Sequence, residues 1–232
     1  TLSLIGGRKG VYSAVALIFT FVCIVFLFLP LIYRGVSPVW AAVLVAILTT
    51  VVTMYLLGGI SSKSATAVTG TVLGVGISGI LAILFGKWTH ISGYNVADIE
   101  QLTYVGQTTN IKIGELLYAG ILISALGAVM DVAMSIASTI NEIHFRNPLL
   151  SARELFFSGI RVGKDMMGTM SNTLILAFTG TSINTLVFLY VYNYSTTQII
   201  NMYSIGIELI QGIASTMGVI LTIPLVSLLS AW

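Results

Sequence analysis

The sequence predicts an all-α, polytopic membrane protein with about six transmembrane helices and a few short interfacial helices. Hydrophobic residues make up 56% of its 232 residues, whereas charged residues make up only 8%. The apolar residues form six runs, each long enough to cross a hydrocarbon core of about 30 Å. A soluble domain of this length could not bury so much apolar surface, whereas helices in lipid need not bury it. We therefore expect one transmembrane domain over residues 1–232.

The predicted spans follow one another with short connections. The first run is too long for the core of a signal peptide and lacks an A-x-A cleavage site, so we interpret it as a true span. Pro30 and the 35–38 stretch end it and favour a tight turn. The last helical pattern begins near 196. Because 34 helical residues would measure about 50 Å, we expect its first two turns to lie in the interface. The spans are 11–33, 38–58, 65–86, 114–140, 166–192 and 204–229.

Two connections carry helix signals. In the first, Asn95 is expected to cap a short helix on the membrane surface. In the second, Ser151 and Glu154 have the spacing of a capping box. The helix that they start is expected to be an interfacial elbow that turns up into the fifth span.

Basic residues give an orientation. With the N-terminus inside, seven of the ten Lys and Arg residues fall on the cytoplasmic side and three fall outside. This bias predicts that both termini are cytoplasmic. The inner set is Arg8, Lys9, Lys63, Arg146, Arg153, Arg161 and Lys164, and the outer set is Arg34, Lys87 and Lys112.

The fourth span carries an acidic residue, Asp131, near its middle. An ionised side chain at bilayer depth costs about 2.5 kcal/mol or more, so such acids are candidates for function. Small and polar residues lie three or four positions apart on the same helical face. These are Ser124, Gly127, Ala128, Ser135 and Ser138.

The last two spans carry comparable stripes, which must face one another, a partner or water because lipid cannot satisfy them. A buried acid among hydroxyls and amides is what a proton or cation relay requires. We expect Glu208 near the inner headgroups. The candidate residues for a polar path or a helix contact are Asp131, Ser135, Ser138, Asp165, Thr169, Asn172, Thr173, Glu208, Gln211 and Ser215.

The alternative interpretation of these stripes is helix packing. Small residues let helices approach closely, and amide side chains bond across the contact. Asp131 would then be a neutral acid bonded to a neighbouring helix. The glycines predicted to pack are Gly70, Gly74, Gly127, Gly159, Gly163, Gly168, Gly212 and Gly218.

Signatures of other classes are absent from the sequence. There is no H-E-x-x-H, G-x-S-x-G or P-loop motif, so we expect no enzyme. His90 and His144 are isolated in opposite connections, and we expect neither a metal nor a cofactor. A net charge of +2 gives no indication of nucleic acid binding.

Two long motifs resemble the YibE/F family of bacterial membrane proteins: ALGAVMDVAMSIAS at 125–138 and SGIRVGKDMMGTMSNTLILAF at 158–178. Gly70–Gly74 and 208–218 with Pro224 extend the resemblance over nearly the whole chain. It implies a multispan, permease-like protein of the bacterial plasma membrane. Some members carry a further N-terminal span and an extracytoplasmic region, so the short form implies a subunit that pairs with a longer relative.

These observations lead to two functional hypotheses. The first is a transport or permease component with a polar path lined by Asp131, Asn172 and Glu208. The second is a non-transporting structural or receptor subunit of a homo- or hetero-oligomer with a related membrane protein. The lipid bilayer is the expected environment in both cases.

Overall fold

The computed structural model describes residues 2–96 and 99–232. The predicted fold class is confirmed, because the described residues form α-helices joined by short turns and contain no strand. The helices are α1 Leu2–Cys23, α2 Leu29–Tyr33, α3 Pro38–Gly58, α4 Ser62–Thr89, α5 Ile99–Thr108, α6 Ile113–Arg146, α7 Ala152–Thr181, α8 Ile183–Val191, α9 Thr196–Ile200 and α10 Tyr203–Ala231.

Five continuous helical segments are long and apolar enough to cross a membrane. They are Gly10–Tyr33, which joins α1 to α2, and the helices α3, α4, α6 and α10. The bent pair α7–α8, whose helices diverge by 59° at their junction, is together long and apolar enough to be a sixth span. The protein is therefore a multi-pass membrane protein.

The predicted elbow before the fifth span is not formed. Residues 152–181 make one continuous helix, and the bend comes at Ser182, after most of the span. The Ser151–Glu154 capping box that starts this helix is present, as predicted. The helix continues without a break because Gly159 and Gly163 hold it against α10 along this stretch.

The centre of the molecule is the packing of α4, α6, α7 and α10. Glycines set the distance between these helices, since a Cβ at Gly70 would overlap Val226 and one at Gly163 would overlap Ile223. A Cβ at Gly74 would overlap Thr222, and one at Gly218 would lie 2.8 Å from Ser78 Cβ. Small residues thus allow the close approach that packing in lipid requires.

Three of the glycines predicted to pack behave differently. A Cβ added at Gly127 or Gly168 would meet nothing within 4 Å among the described residues. A Cβ at Gly212 would make only an ordinary contact, 3.8 Å from Phe178 Cδ2. The reason is the orientation of these positions, which face open space between helices instead of a neighbouring backbone.

The helix α3 lies against α4 and α6, and α1 lies against α3 at the edge of the molecule. A π-helical turn, Ile24–Phe28, interrupts the first span between α1 and α2. Such turns add about one residue to a helical repeat and are frequent at functional sites.

In the connection between α4 and α6, the N-cap residue differs from the predicted one. Ser92 is the N-cap of a short 3₁₀ turn, and the Asn95 side chain accepts a hydrogen bond from the Ser92 backbone at 2.8 Å. Asn95 therefore closes a capping box instead of starting the next helix. Among the described residues, α5 begins at Ile99.

Candidate functional site

Asp131 lies on a groove between α1, α3 and α6, which we call the Asp131 groove. Its side chain is exposed to this groove and makes no hydrogen bond to any described residue. The groove has a volume of about 810 Å³. Its lining residues are Ser13, Ala16, Leu17, Thr20, Phe21, Ile24, Thr53, Met54, Leu57, Ile123, Ser124, Leu126, Gly127, Met130, Asp131, Met134, Ser135 and Met170.

Hydroxyl groups from three helices line the groove. Ser13 and Thr20 come from α1, Thr53 from α3, and Ser124 and Ser135 from α6. The Thr53 side chain is only 8% exposed, and its Oγ1 has no hydrogen-bond partner among the described residues. Buried hydroxyls are nearly always bonded, so the Thr53 hydroxyl is an unsatisfied polar group in the wall of the groove.

The Asp131 groove extends along part of the length of α6. Along α6 it runs from Ser124 to Ser135, which is about 16 Å at 1.5 Å per residue. The end at Ser135 lies toward the α6–α7 connection, where α1 also begins. A Cβ at Gly58, the last residue of α3, would overlap the Met134 side chain, so α3 ends at this same level. The groove therefore reaches from the middle of the molecule toward the end predicted to be cytoplasmic.

The end of the groove at Ser124 contacts α10 through a polar side chain. Gln211 Nε2 donates a hydrogen bond to Ser124 Oγ at 3.2 Å, and Ser124 Oγ donates to the Ile121 carbonyl at 3.0 Å. Here the predicted stripes of α6 and α10 meet. Beyond it, toward the start of α6, Ile121 and Leu122 are each 1% exposed, and the helices are closely packed.

The stripe on α7 does not face this groove, contrary to the prediction. Asp165, Thr169, Asn172 and Thr173 are all exposed on the outer surface of α7. Thr173 Oγ1 donates to the Thr169 carbonyl at 2.9 Å, while Asn172 makes no side-chain hydrogen bond to the described residues. The cause is that α7 turns Gly159 and Gly163 toward α10 and leaves the opposite face uncovered.

Two further predicted residues lie outside the groove. Ser138 is half-buried on α6, one turn past Ser135. Ser215 is fully buried in α10, and its Oγ has no partner among the described residues.

Glu208 lies in a different cavity, at the other end of the molecule from the one predicted. Gly206 and Ile210 pack on Ile91, which belongs to the α4–α5 connection. This connection is on the predicted outer side, and α10 begins there because the preceding spans alternate in direction. Glu208 thus lies at the end of the molecule that holds the α4–α5 connection, opposite the α6–α7 connection.

The predicted common path of Asp131, Asn172 and Glu208 is therefore not formed. Asp131 lines the groove beside α1, Glu208 lines a cavity between α7 and α10, and Asn172 lines neither.

The groove residues contributed by α1 and α3 were not predicted from the sequence. Ser13 and Thr20 are seven residues apart, and Thr53 follows two other threonines, so a hydroxyl spacing was available as a signal. It was overlooked because hydroxyls in apolar helices commonly bond their own backbone, as Thr20 does to the Ala16 carbonyl at 3.0 Å. Ser182, which bonds Glu208, was also missed.

Comparison with known proteins gives one match. The family described as YibE/F-like protein matches residues 1–232, the whole chain. No curated protein matches the sequence, and no solved structure matches it.

Proposed function

Because this chain belongs to the YibE/F-like family and carries Asp131 in a membrane-length helix, where its side chain bonds none of the described residues, we propose that it is a membrane transport or permease component. Its polar path follows the Asp131 groove. The observation that supports this most is the exposure of the Asp131 carboxylate to a groove lined with hydroxyls. An acid that only held two helices together would be bonded to the neighbouring helix.

The chemistry of the groove suits a proton or a small cation. The Asp131 carboxylate accepts the charge, and hydroxyl oxygens such as those of Thr53 and Ser135 complete a shell of oxygen ligands. No Lys, Arg or His lines the groove among the described residues.

The path is open on one side only. It leads from the end predicted to be cytoplasmic to the Ser124–Gln211 contact, where packing closes it. Transport therefore requires this contact to separate in a second conformation, which opens the outer half of the path. We place both termini in the cytoplasm, as the basic residues predict.

The test is ion flux in proteoliposomes that contain the purified chain. A potassium gradient with valinomycin sets the membrane potential, and an internal pH dye reports proton entry. We expect Asp131→Asn to abolish the protein-dependent flux. Glu142→Gln is the matched control, because Glu142 is an exposed acid of the same helix that pairs with Arg146 at 2.7 Å. If Asp131→Asn carried protons or cations as fast as the wild type, the relay role would be refuted.

One observation favours the second candidate function, a subunit of an oligomer. The exposed polar stripe of α7, with Asp165, Thr169, Asn172 and Thr173, lies on a helix in lipid, which offers no hydrogen bonds. A second copy or a related membrane protein would cover it. We expect Asn172→Val to lower the oligomeric state measured by photobleaching in nanodiscs. Thr69→Val, an exposed threonine of α4 that bonds its own backbone, is the control. A monomeric wild type or an unchanged Asn172→Val oligomer would contradict this assignment.

A further inference from the structure

A second cavity lies between α10 and the bent pair α7–α8, on the other side of α10 from the Asp131 groove. We call it the Glu208 pocket. It has a volume of about 400 Å³ and is walled almost entirely by apolar groups. The polar members are Thr179, Ser182, Glu208 and Thr216. The apolar members are Ile175, Phe178, Leu186, Ile205, Leu209, Gly212, Ile213 and Met217.

The pocket exists because of the helix break. Ser182 ends α7 and begins α8, and the two helices diverge there by 59°. The same residue donates a hydrogen bond from its Oγ to Glu208 Oε1 at 2.5 Å. This contact fixes the carboxylate on the wall of the pocket, and the second oxygen, Oε2, is buried there without a hydrogen-bond partner among the described residues.

Two polar atoms in the pocket need a donor. Glu208 Oε2 and Thr216 Oγ1 are buried and have no hydrogen-bond partner among the described residues. Buried polar atoms without partners are uncommon in native proteins. No Lys, Arg or His of the described residues lines the pocket, so the protein supplies no counter-ion for the carboxylate.

The shape of the pocket indicates an elongated ligand. Glu208, Gly212 and Thr216 lie on one face of α10, and Glu208 is about 12 Å from Thr216 along the helix axis. Between them, Gly212 leaves room, since a Cβ there would meet only Phe178, at 3.8 Å.

The polarity of the pocket follows the depth of the membrane. Glu208 is less than two turns from Tyr203, where α10 begins. Exposed tyrosines gather at this end, as they do at membrane–water interfaces. They are Tyr190, Tyr192, Tyr194 and Tyr203. Met217 lies deeper, so the charged end of the pocket is near the headgroups and the apolar end is in the hydrocarbon.

We propose that the Glu208 pocket binds an apolar organic ammonium, with its N–H groups on Glu208 and its hydrocarbon body along Gly212 toward Met217. The ammonium satisfies Oε2 and the charge of the carboxylate together. The hydrocarbon body fills the apolar walls. This site is separate from the Asp131 groove and stands independently of the proposed transport.

The experiment measures saturable binding of radiolabelled n-octylammonium to the full chain in phosphatidylcholine nanodiscs, with empty nanodiscs subtracted. We expect Glu208→Gln to weaken binding about tenfold or more, because a charge-assisted hydrogen bond is lost. Gly212→Leu fills the pocket without changing its charge and is expected to abolish saturable binding. Glu115→Gln is the matched control, since Glu115 also accepts a hydrogen bond from a serine, Ser37, but does not line the pocket.

Ligand comparisons on the wild type test the proposal without any variant. We expect n-octanol and octanoate to bind at least about tenfold more weakly than n-octylammonium. Octanol that binds as tightly as octylammonium would overturn the proposal, because the pocket would then select only for apolar length. Unchanged octylammonium binding by a folded Glu208→Gln variant would overturn it too.

A primary ammonium on a hydrocarbon comes from two sources, a free alkylamine or the headgroup of an ethanolamine lipid. Replacing half of the phosphatidylcholine by phosphatidylethanolamine separates them. Weaker apparent octylammonium binding identifies the lipid as the occupant, and unchanged binding identifies a free amine. Both results presuppose the ammonium site and support it.

Discussion

The close approach of α4 to α10 and α6 predicts opposite effects of the same substitution at two glycines of one helix. Gly74 and Gly76 both lie in α4. A Cβ at Gly74 would overlap Thr222 Oγ1 and lie 2.9 Å from Val129 Cγ1. A Cβ at Gly76 would meet nothing within 4 Å. Gly76→Ala therefore changes helix propensity alone, whereas Gly74→Ala also forces three helices apart.

The magnitudes follow from these contacts. Replacing Gly by Ala inside a helix stabilises it by about 0.5–1 kcal/mol. Inserting a methyl group into a tight contact costs about 1–3 kcal/mol. At Gly74 it also disturbs the Thr222 hydroxyl, which donates to the Gly218 carbonyl at 2.7 Å and is worth about 1 kcal/mol. We expect Gly74→Ala to destabilise by about 1–3 kcal/mol and Gly76→Ala to stabilise by up to about 1 kcal/mol.

Reversible unfolding in mixed micelles of increasing SDS content, followed by circular dichroism, measures both free energies. The difference between the two variants is the informative quantity, since propensity cancels from it. If Gly74→Ala were as stable as Gly76→Ala, the helices would not approach as described, and the reasoning about glycine packing would be refuted.

Three further predictions concern single contacts. In a double-mutant cycle, Ser124→Ala and Gln211→Leu should show a coupling of about 0.6 kcal/mol in the same unfolding assay, and additive effects would exclude their hydrogen bond. In a cysteine-free background, Asp131→Cys should react with a water-soluble thiol reagent much faster than Val132→Cys, because position 132 is fully buried; equal rates would mean that the groove is closed to water. Tyr118→Phe should lose about 0.5–1.5 kcal/mol of stability, because its hydroxyl bonds a carbonyl of the α4–α5 connection at 2.8 Å. A thermal scan that shows no change would contradict this contact.

The fold class could be predicted from the sequence because a membrane-spanning helix requires little beyond sufficient length and apolarity. The 38–58 run became α3, Pro38–Gly58, since Pro at the start and Gly at the end are local signals. The bend at Ser182 was not predictable in the same way. The sequence from 166 to 192 contains no proline and no charged residue, so nothing local marks a break, which depends on how α7 packs on α10.

The candidate site was predicted in part. Asp131 and Ser135 lie on one groove because a helix fixes their relative positions, so spacing alone was sufficient. Which helices face them is a matter of packing between distant segments. Asn172 shares a stripe with Thr169, as expected. The stripe faces outward because Gly159 and Gly163 pack the other face of α7 against α10. A polar pattern on one helix indicates which face must be covered, but it does not indicate which neighbouring helix covers it.

The π-helical turn at Ile24–Phe28 has a consequence for how the first span tolerates changes of length. Buried residues of this span fall at Ala16, Cys23, Phe28 and Ile32, and the step from Cys23 to Phe28 is one residue longer than a regular turn. The extra residue is taken up within the turn, so the phase of the inward positions is kept on both sides. Removing one residue from 24–27 would leave an ordinary helix that still buries Phe28. Removing one residue near Thr20 would instead rotate the groove-lining positions by about 100°. Deleting one residue within this turn would therefore shorten the span without rotating its buried face.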